Sequence, residues 1–209
     1  MQEIFDLFNP FPNEFGQEND TDDAIVIPGL TYIGDFITKE EELFLLHMID
    51  ENEWLPDLKR RVQHYGWKYD YKKRGIDYSM FLGDLPNWIY PLAERLHTQG
   101  HTNDLSDQVI INEYKPGQGI ANHVDCEPCF GDSITSISLG STCIMNLINL
   151  ETKEKLEVVL EPRSALIIKD ESRYKWSHGI PSRLADTINN KYVKRKLRIS
   201  MTFRKVIFE

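Results

Sequence analysis

Hydrophobic residues recur at helical spacing in two segments of the first half of the chain and at strand spacing in most of the second half. Thr38 followed three residues later by Glu41 is the pattern of a capping box, which predicts the start of a helix. We expect this helix to end near Glu53. Its predicted buried stripe consists of three residues at helical spacing, Leu43, Leu46 and Ile49. A second helix is predicted over residues 86–100, because proline suits a first turn and glycine ends a helix.

The remaining hydrophobic residues follow the pattern of strands separated by turns. A strand interrupted at Pro28 and Gly29 is predicted over residues 24–32. Six further strands are predicted in the second half, over residues 108–114, 133–139, 143–150, 156–160, 165–169 and 198–206. This spacing indicates a mainly β fold with flanking helices, a sandwich or jelly roll rather than helices alternating with parallel strands.

A basic and aromatic segment, residues 59–74, differs in composition from the other predicted elements. It contains seven Lys and Arg residues and a single acidic residue, Asp70. Four aromatic residues recur within it at every second position, Tyr65, Trp67, Tyr69 and Tyr71. On one strand these rings would share a face, which suits base stacking beside phosphate contacts. The pattern also fits an ordinary strand with its rings in the core and its charges in solvent.

The distribution of charge changes the meaning of the net charge of -9. Residues 1–53 carry 14 acidic residues and one lysine, a net of -13, whereas residues 54–209 carry a net of +4. Residues 1–23, acidic and polar, are predicted to form a flexible tail. Basic residues are clustered in the remainder, which is compatible with phosphate contacts. A second basic run offers five cations for such contacts, Lys191, Lys194, Arg195, Lys196 and Lys205.

Composition also bears on the compartment and on the cysteines. No apolar run approaches the roughly 18 residues of a membrane span, and the N-terminus lacks the basic segment of a signal peptide. Three cysteines, an odd number, argue against a disulfide framework, so we expect the protein in the cytoplasm, or in the nucleus of a cell that has one. We also expect a monomer. Cys126 and Cys129 form a C-x-x-C pair, which fits a redox pair, half of a zinc site or a plain loop. The plain loop is favoured, because no second pair and no thioredoxin-like pattern accompany it.

A histidine and a carboxylate two residues apart, His123 and Asp125, provide the first candidate chemistry. On extended backbone both side chains lie on one face. They would supply two of the three ligands in the facial triad of non-haem Fe(II) oxygenases, although this short pattern also occurs by chance. Of the six histidines, His178 alone shares the predicted β half with His123, so it is the candidate third ligand.

Four ordered blocks of sequence resemble the AlkB family of Fe(II)/2-oxoglutarate dioxygenases. The blocks span residues 112–125, 136–140, 171–180 and 198–205. They read Asn-x-Tyr-x-Pro-Gly-x-Gly through His-x-Asp, Ser-x-Ser-Leu-Gly, Glu-Ser-Arg-Tyr-x-Trp-x-His-Gly-Ile, and Arg-x-Ser-x-Thr-Phe-Arg-Lys. The chain looks closest to the dioxygenase domain of the branch that modifies the tRNA wobble uridine. The resemblance implies a double-stranded β-helix core over residues 107–209, preceded by helices and a nucleotide-recognition lid over residues 24–106.

The resemblance also implies roles for individual residues. Fe(II) would be held by His123, Asp125 and His178. The co-substrate 2-oxoglutarate would contact five residues, Asn112, Tyr114, Arg198, Ser200 and Arg204. Arg198 would bind the far carboxylate, since a guanidinium pairs with a carboxylate in two hydrogen bonds. The substrate would contact four residues, Arg61, Tyr65, Trp67 and Glu127, and Arg204 would steady the site through Glu127.

The implied reaction consumes O2 and converts 2-oxoglutarate to succinate and CO2, while a methyl or methylene carbon on a nucleic-acid base is hydroxylated. An N-methyl group would leave as formaldehyde. An alternative is a protein or small-molecule hydroxylase on the same scaffold, which the overall acidity favours and the clustered basic residues disfavour. A binding module with a vestigial site is a third hypothesis, which the intact ligands and Arg198 disfavour.

Overall fold

The computed structural model describes residues 26–56 and 59–208, so the predicted tail at residues 1–23 lies outside the described residues. The described residues form three α-helices: α1 Lys39–Asp50, α2 Tyr90–Thr98 and α3 Asp170–Tyr174. They also form twelve strands: β1 Leu30–Ile33, β2 Val62–Tyr65, β3 Gln108–Tyr114, β4 Ile120–His123, β5 Phe130–Gly140, β6 Cys143–Asn149, β7 Lys155–Leu160, β8 Ala165–Ile168, β9 Trp176–Ile180, β10 Ala185–Ile188, β11 Lys191–Lys194 and β12 Arg198–Val206.

Most strands lie in two antiparallel sheets that pack face to face. The larger sheet has the order β1-β8-β5-β12-β3-β2, the smaller sheet has the order β4-β9-β6-β7, and β10 and β11 form a separate hairpin. Ile134 and Leu166 of the larger sheet meet Met145 and Leu160 of the smaller sheet in one cluster, the inter-sheet core. The predicted mainly β fold of jelly-roll type is therefore confirmed.

Two helices cover the outer face of the larger sheet. Leu45 of α1 and Leu92 of α2 pack with Ile111 of β3 and Met201 of β12 in a second cluster, the helix-side core. Since both faces of the larger sheet are covered, β3 is buried along its whole length. The helices share their core with β3 and β12, and the division at residue 106 stays a prediction.

The start of α1 follows the sequence, whereas its buried face does not. Thr38 accepts a hydrogen bond from the Glu41 amide at 3.1 Å, and its own amide donates to the Glu41 carboxylate at 2.7 Å, which confirms the capping box. The predicted buried stripe is wrong at Leu43, which is 60% exposed, while Leu45 is fully buried. Glu41 is also buried, in a salt bridge with Arg95 of α2. The helix therefore buries the face that carries Glu41 and Leu45 rather than the predicted face.

The basic segment does not form the predicted single strand. Only β2 pairs with the sheet, and its partner is β3. The chain turns at Gly66, which has a φ of +74° and approaches the Asp107 carbonyl oxygen so closely that a Cβ would lie 1.8 Å from it. Glycine alone adopts this conformation at no steric cost.

This turn sends the four aromatic rings to different places. Tyr65 packs edge-on against Trp88 in the helix-side core, with ring centroids 5.3 Å apart. Tyr69 lies on the opposite side of the sheet, 5.7 Å from the Phe130 ring, and contacts Tyr71 edge-on. The rings therefore do not form one stacking face.

Because α1 buries Leu45 and exposes Leu43, truncating these two leucines should lower the free energy of unfolding by different amounts. Leu45→Ala should lower the free energy of unfolding by about 2–5 kcal/mol, because it leaves a cavity in a packed core. Leu43→Ala should change it by less than about 0.5 kcal/mol, because the side chain is exposed. Urea denaturation measures both, and equal losses would contradict the assigned face.

Candidate metal centre

Three metal-ligating side chains converge beside the edge strand of the smaller sheet. The pairing of β4 with β9 places His123 directly opposite His178, and Asp125 follows two residues later. The ligand atoms of the three residues lie within 4.8 Å of one another. His123 Nε2 lies 3.9 Å from one Asp125 oxygen, and His178 Nε2 lies 3.8 Å from the other. These separations exceed hydrogen-bond length, so the groups face a common point without bonding to one another.

Neighbouring groups orient two of these ligands. His123 Nδ1 lies 2.9 Å from the Ala121 carbonyl oxygen, so Nδ1 carries the hydrogen and Nε2 presents its lone pair. Asp125 Oδ1 accepts a hydrogen bond from Arg204 at 2.9 Å. Asp125 Oδ2 is buried without a hydrogen-bond partner among the described residues. Because an unpaired buried carboxylate oxygen is costly, a cation bound between the three side chains fits this site.

Burial and neighbouring charges hold two of the three ligands, Asp125 and His178, in the protonation state that binds metal. Burial alone raises the pKa of Asp125, but the nearby Arg204, His178, His123 and Arg173 outweigh it and lower this pKa to about 2. Burial lowers the pKa of His178 to about 4, against the opposing effect of Asp125. At neutral pH the carboxylate is ionised and the His178 imidazole is neutral, as metal binding requires.

A cavity of about 430 Å³ opens beside the triad. Four of the five residues predicted to contact 2-oxoglutarate line it, Asn112, Tyr114, Ser200 and Arg204. The register of the larger sheet groups them, because β3 and β12 pair with Asn112 opposite Ser200 and Tyr114 opposite Arg198. Arg60 also lines the cavity and donates a hydrogen bond to the Asn112 side chain at 2.8 Å.

The fifth predicted residue, Arg198, is buried behind Tyr114. Its guanidinium lies 5.5 Å from the Tyr114 ring centroid and donates one hydrogen bond to Ser138 Oγ at 2.8 Å. Its Nε and Nη1 have no hydrogen-bond partner in the described part of the chain. Arg198 borders a second, smaller cavity whose walls include Tyr114 and Ile180, and both of these also line the large cavity. Two unpaired guanidinium donors beside the site fit a carboxylate ligand.

The structure does not bring the four predicted substrate residues to the cavity. Arg61 forms a salt bridge with Glu113 on the other side of β3. Tyr65 lies in the helix-side core, and Trp67 packs between other aromatic rings. Glu127 is exposed, and the carboxylate bonded to Arg204 belongs to Asp125. None of the four is among the described residues that line the cavity.

Other residues of the same basic segment line the cavity instead, namely Arg60, Tyr69, Tyr71 and Arg74. Tyr69 and Tyr71 belong to the period-two run of aromatic residues, so composition indicated them. Gly66 was the signal that separates them from Tyr65, since a glycine inside a strand pattern often marks a bend.

The second basic run has fewer free cations than the sequence predicted. The prediction is wrong for Arg195, which is buried and donates to Asp186 at 2.6 Å. Lys205 is paired with Asp107 at 2.7 Å. Lys191 and Lys194 lie exposed on the β10–β11 hairpin.

The C-x-x-C pair forms a disulfide, Cys126–Cys129, in the turn that follows Asp125. The pair lies in a loop beside the metal centre, as predicted, but its cysteines are bonded to each other, which contradicts the expectation drawn from the odd number of cysteines. The sulfur atoms are not available as zinc ligands in this form. Cys143 is free and buried.

Comparison with known proteins decides the family. Residues 30–204 match the family model described as the 2OG-Fe(II) oxygenase superfamily. This chain belongs to that superfamily. It is therefore a dioxygenase that uses Fe(II), 2-oxoglutarate and O2, and His123, Asp125 and His178 form its metal-binding triad.

Similar proteins confirm the resemblance to AlkB. The chain is 38% identical to an uncharacterised protein of Acanthamoeba polyphaga mimivirus, over 87% of this chain and 86% of that one. It is 35% identical to the alkylated DNA repair protein ALKBH8 homolog of Arabidopsis thaliana, over 88% of this chain and 60% of that one. It is 37% identical to the tRNA (carboxymethyluridine(34)-5-O)-methyltransferase ALKBH8 of Macaca fascicularis, over 86% of this chain and 30% of that one. The chain thus spans less than two thirds of the length of both ALKBH8 relatives.

Solved structures support the fold. OsALKBH1 superimposes with a TM-score of 0.62 at 18% identity, over 87% of this chain and 98% of that one. A prolyl-4-hydroxylase of Pseudomonas putida superimposes with a TM-score of 0.54 at 15% identity, over 85% of this chain and 92% of that one. Among the described residues, no helix is both long and apolar enough to span a bilayer.

The lowered pKa of His178 predicts a pH dependence of stability in the metal-free protein. Between its ordinary value of 6.5 and its folded value of about 4, the unfolded chain binds a proton that the folded protein excludes. The free energy of unfolding should fall as the pH decreases through this window, by up to about 3 kcal/mol from this residue. Above pH 6.5 His178 is neutral in both the folded and the unfolded state, so the protein then has the full stability from which this loss is counted. Urea denaturation of wild type and His178→Gln across the window measures it, and parallel losses in the two proteins would contradict the assignment.

Proposed function

We propose that this protein hydroxylates or oxidatively demethylates a modified base in nucleic acid, either an alkylated base in DNA or RNA or a tRNA nucleoside. The observation that carries the proposal is the cavity, which is lined by the metal triad and also by Tyr69, Tyr71 and Arg74. A base needs an aromatic ring to stack on and a cation for its phosphate, and these residues offer both. Relatives named for alkylated DNA repair and for carboxymethyluridine methylation support this class of substrate.

The protein's own groups would bind and orient the co-substrate. When bound at the triad, Fe(II) supplies the oxidation of a C–H bond at the expense of 2-oxoglutarate and O2. The unpaired donors of Arg198 would bind the far carboxylate of 2-oxoglutarate, and Asn112 and Tyr114 would contact the rest of that molecule. Arg204 holds one Asp125 oxygen by a hydrogen bond and leaves the other without a hydrogen-bond partner, so that it would be available to hold the metal.

The substrate would enter along the segment that carries the cavity tyrosines. We define the lid segment as residues 67–76, which are joined by a backbone bridge between Asp70 and Gly75. Tyr69 and Tyr71 meet edge-on with ring centroids 5.2 Å apart. Lys72 and Lys73 are exposed between them and Arg74, where phosphate groups can reach them. We take the protein to act as a monomer in the cytoplasm or nucleus, where nucleic acid is present, and size-exclusion chromatography tests the oligomeric state.

Loss of a metal ligand should abolish the reaction. His123→Ala should reduce succinate formation from 2-oxoglutarate by more than about 100-fold, because it removes one of three ligands and the affinity for Fe(II) with it. His47→Ala, which removes an exposed histidine of α1, is the matched control and should retain full turnover. Succinate is measured with and without Fe(II), and full turnover in His123→Ala would overturn the assignment of the triad.

The lid segment should determine which class of substrate is oxidised. Incubation with pools of modified RNA, DNA and peptides, followed by mass spectrometry, should show loss or hydroxylation of a modified nucleoside. Tyr71→Ala should raise KM for that substrate by about tenfold or more, because stacking of one base contributes about 1–3 kcal/mol. Tyr90→Ala, on the half-exposed surface of α2, is the matched control. Oxidation of a peptide alone would favour the hydroxylase alternative instead.

A further inference from the structure

The turn beside the metal centre brings two cysteine sulfurs together. We define the rim turn as residues 126–130, which start directly after Asp125. Cys126 and Cys129 are joined by a disulfide, and Cys126 lines the cavity. Cys126 is half-buried, whereas Cys129 is 6% exposed. Small molecules can therefore reach the pair through the cavity, at the sulfur of Cys126.

Backbone hydrogen bonds hold the rim turn independently of the disulfide. The amides of Cys129 and Phe130 both donate to the Cys126 carbonyl oxygen, at 3.3 and 3.2 Å. The buried Arg173 donates to the carbonyl oxygens of Asp125 and Cys126, at 3.1 and 3.4 Å. A disulfide that closes so short a loop removes little conformational entropy from the unfolded chain. The fold therefore does not depend on this bond, and the turn holds the sulfurs close in either oxidation state.

The sulfurs also contact the lid segment. Cys126 Sγ lies 3.4 Å and Cys129 Sγ lies 3.7 Å from the carbonyl oxygen of Arg74. A thiol carries a hydrogen that it can donate to this oxygen, whereas a disulfide sulfur carries none. Oxidation thus removes two weak donors from the point where the rim turn meets the lid segment. Reduction restores them.

We propose that Cys126 and Cys129 form a reversible thiol–disulfide site, which exchanges with a small disulfide such as oxidised glutathione and sets how firmly the lid segment is held. In the oxidising direction the Cys126 thiolate attacks the small disulfide, and one thiol leaves. The Cys129 thiolate then attacks the mixed disulfide and releases the second thiol. Two protein thiols and one small disulfide thereby become one protein disulfide and two small thiols. Reduction follows the same steps in reverse.

The exchange is tested on metal-free, full-length protein equilibrated with glutathione at ratios from fully reduced to fully oxidised. Free thiols are then blocked with iodoacetamide in denaturant, and the intact mass is measured. The number of blocked thiols should fall from three to one in a single transition, because Cys126 and Cys129 oxidise together. In Cys143→Ser, the matched control, it should fall from two to none at the same ratio. A pair that stays oxidised, or stays reduced, at every ratio would overturn the proposal.

The link to the lid is tested by limited trypsin digestion after Lys72, Lys73 and Arg74, which needs no substrate, iron or assumption about function. Oxidised wild type should be cleaved there several-fold faster than reduced wild type. The variant with both Cys126→Ser and Cys129→Ser keeps hydroxyl donors and should be cleaved slowly at every ratio. The variant with both residues changed to Ala lacks donors and should be cleaved quickly at every ratio. Equal rates in all four proteins would refute the link.

Discussion

The site depends on one buried carboxylate, that of Asp125, whose Oδ2 has no hydrogen-bond partner among the described residues. Asp125 is 8% exposed, and burial alone would favour its neutral form. Arg204 reaches it from β12 and satisfies Oδ1, while His123 Nε2 lies 3.9 Å from Oδ1 and His178 Nε2 lies 3.8 Å from Oδ2. Since removing a charge from water without compensation is very costly, the cations around Asp125 are needed to keep it ionised, and a bound metal would satisfy the oxygen that Arg204 leaves unpaired. The fold positions the strands that supply them.

The larger sheet contributes to both the helix-side core and the cavity, because successive side chains along a strand point to opposite faces of the sheet. On β12 the apolar Ile199, Met201 and Phe203 face the helix-side core. Ser200, Thr202 and Arg204, at the intervening positions, line the cavity. A slip of one residue in the register of β12 would exchange these two sets, so the helix-side core also fixes which side chains reach the site. Core packing and chemistry are thus coupled through one strand.

The lid segment and the rim turn meet at the cavity from opposite directions. Gly66 turns the lid segment away from β2, so that Tyr69 and Tyr71 lie on the cavity side of the sheet. The rim turn begins next to Asp125 and touches the lid segment at Arg74. Cys126 therefore lies between a metal ligand and the lid segment, and the contact with the lid segment is where the proposed thiol–disulfide exchange would act.

The sequence by itself determined the fold class, the His-x-Asp pair and the start of α1, because each depends on local spacing, and His178 followed from the family resemblance and its place in the β half. Alternation marked β3 and β12, and the His-x-Asp pair needs only an extended backbone to present both side chains together. Tertiary structure alone decided which aromatic rings reach the cavity, since Gly66 bends the chain only where it meets Asp107. It also decided that Leu43 is exposed, that Arg195 is paired with Asp186, and that Arg204 is bonded to Asp125. These outcomes depend on contacts between residues distant in the chain, which the period of a single segment does not encode.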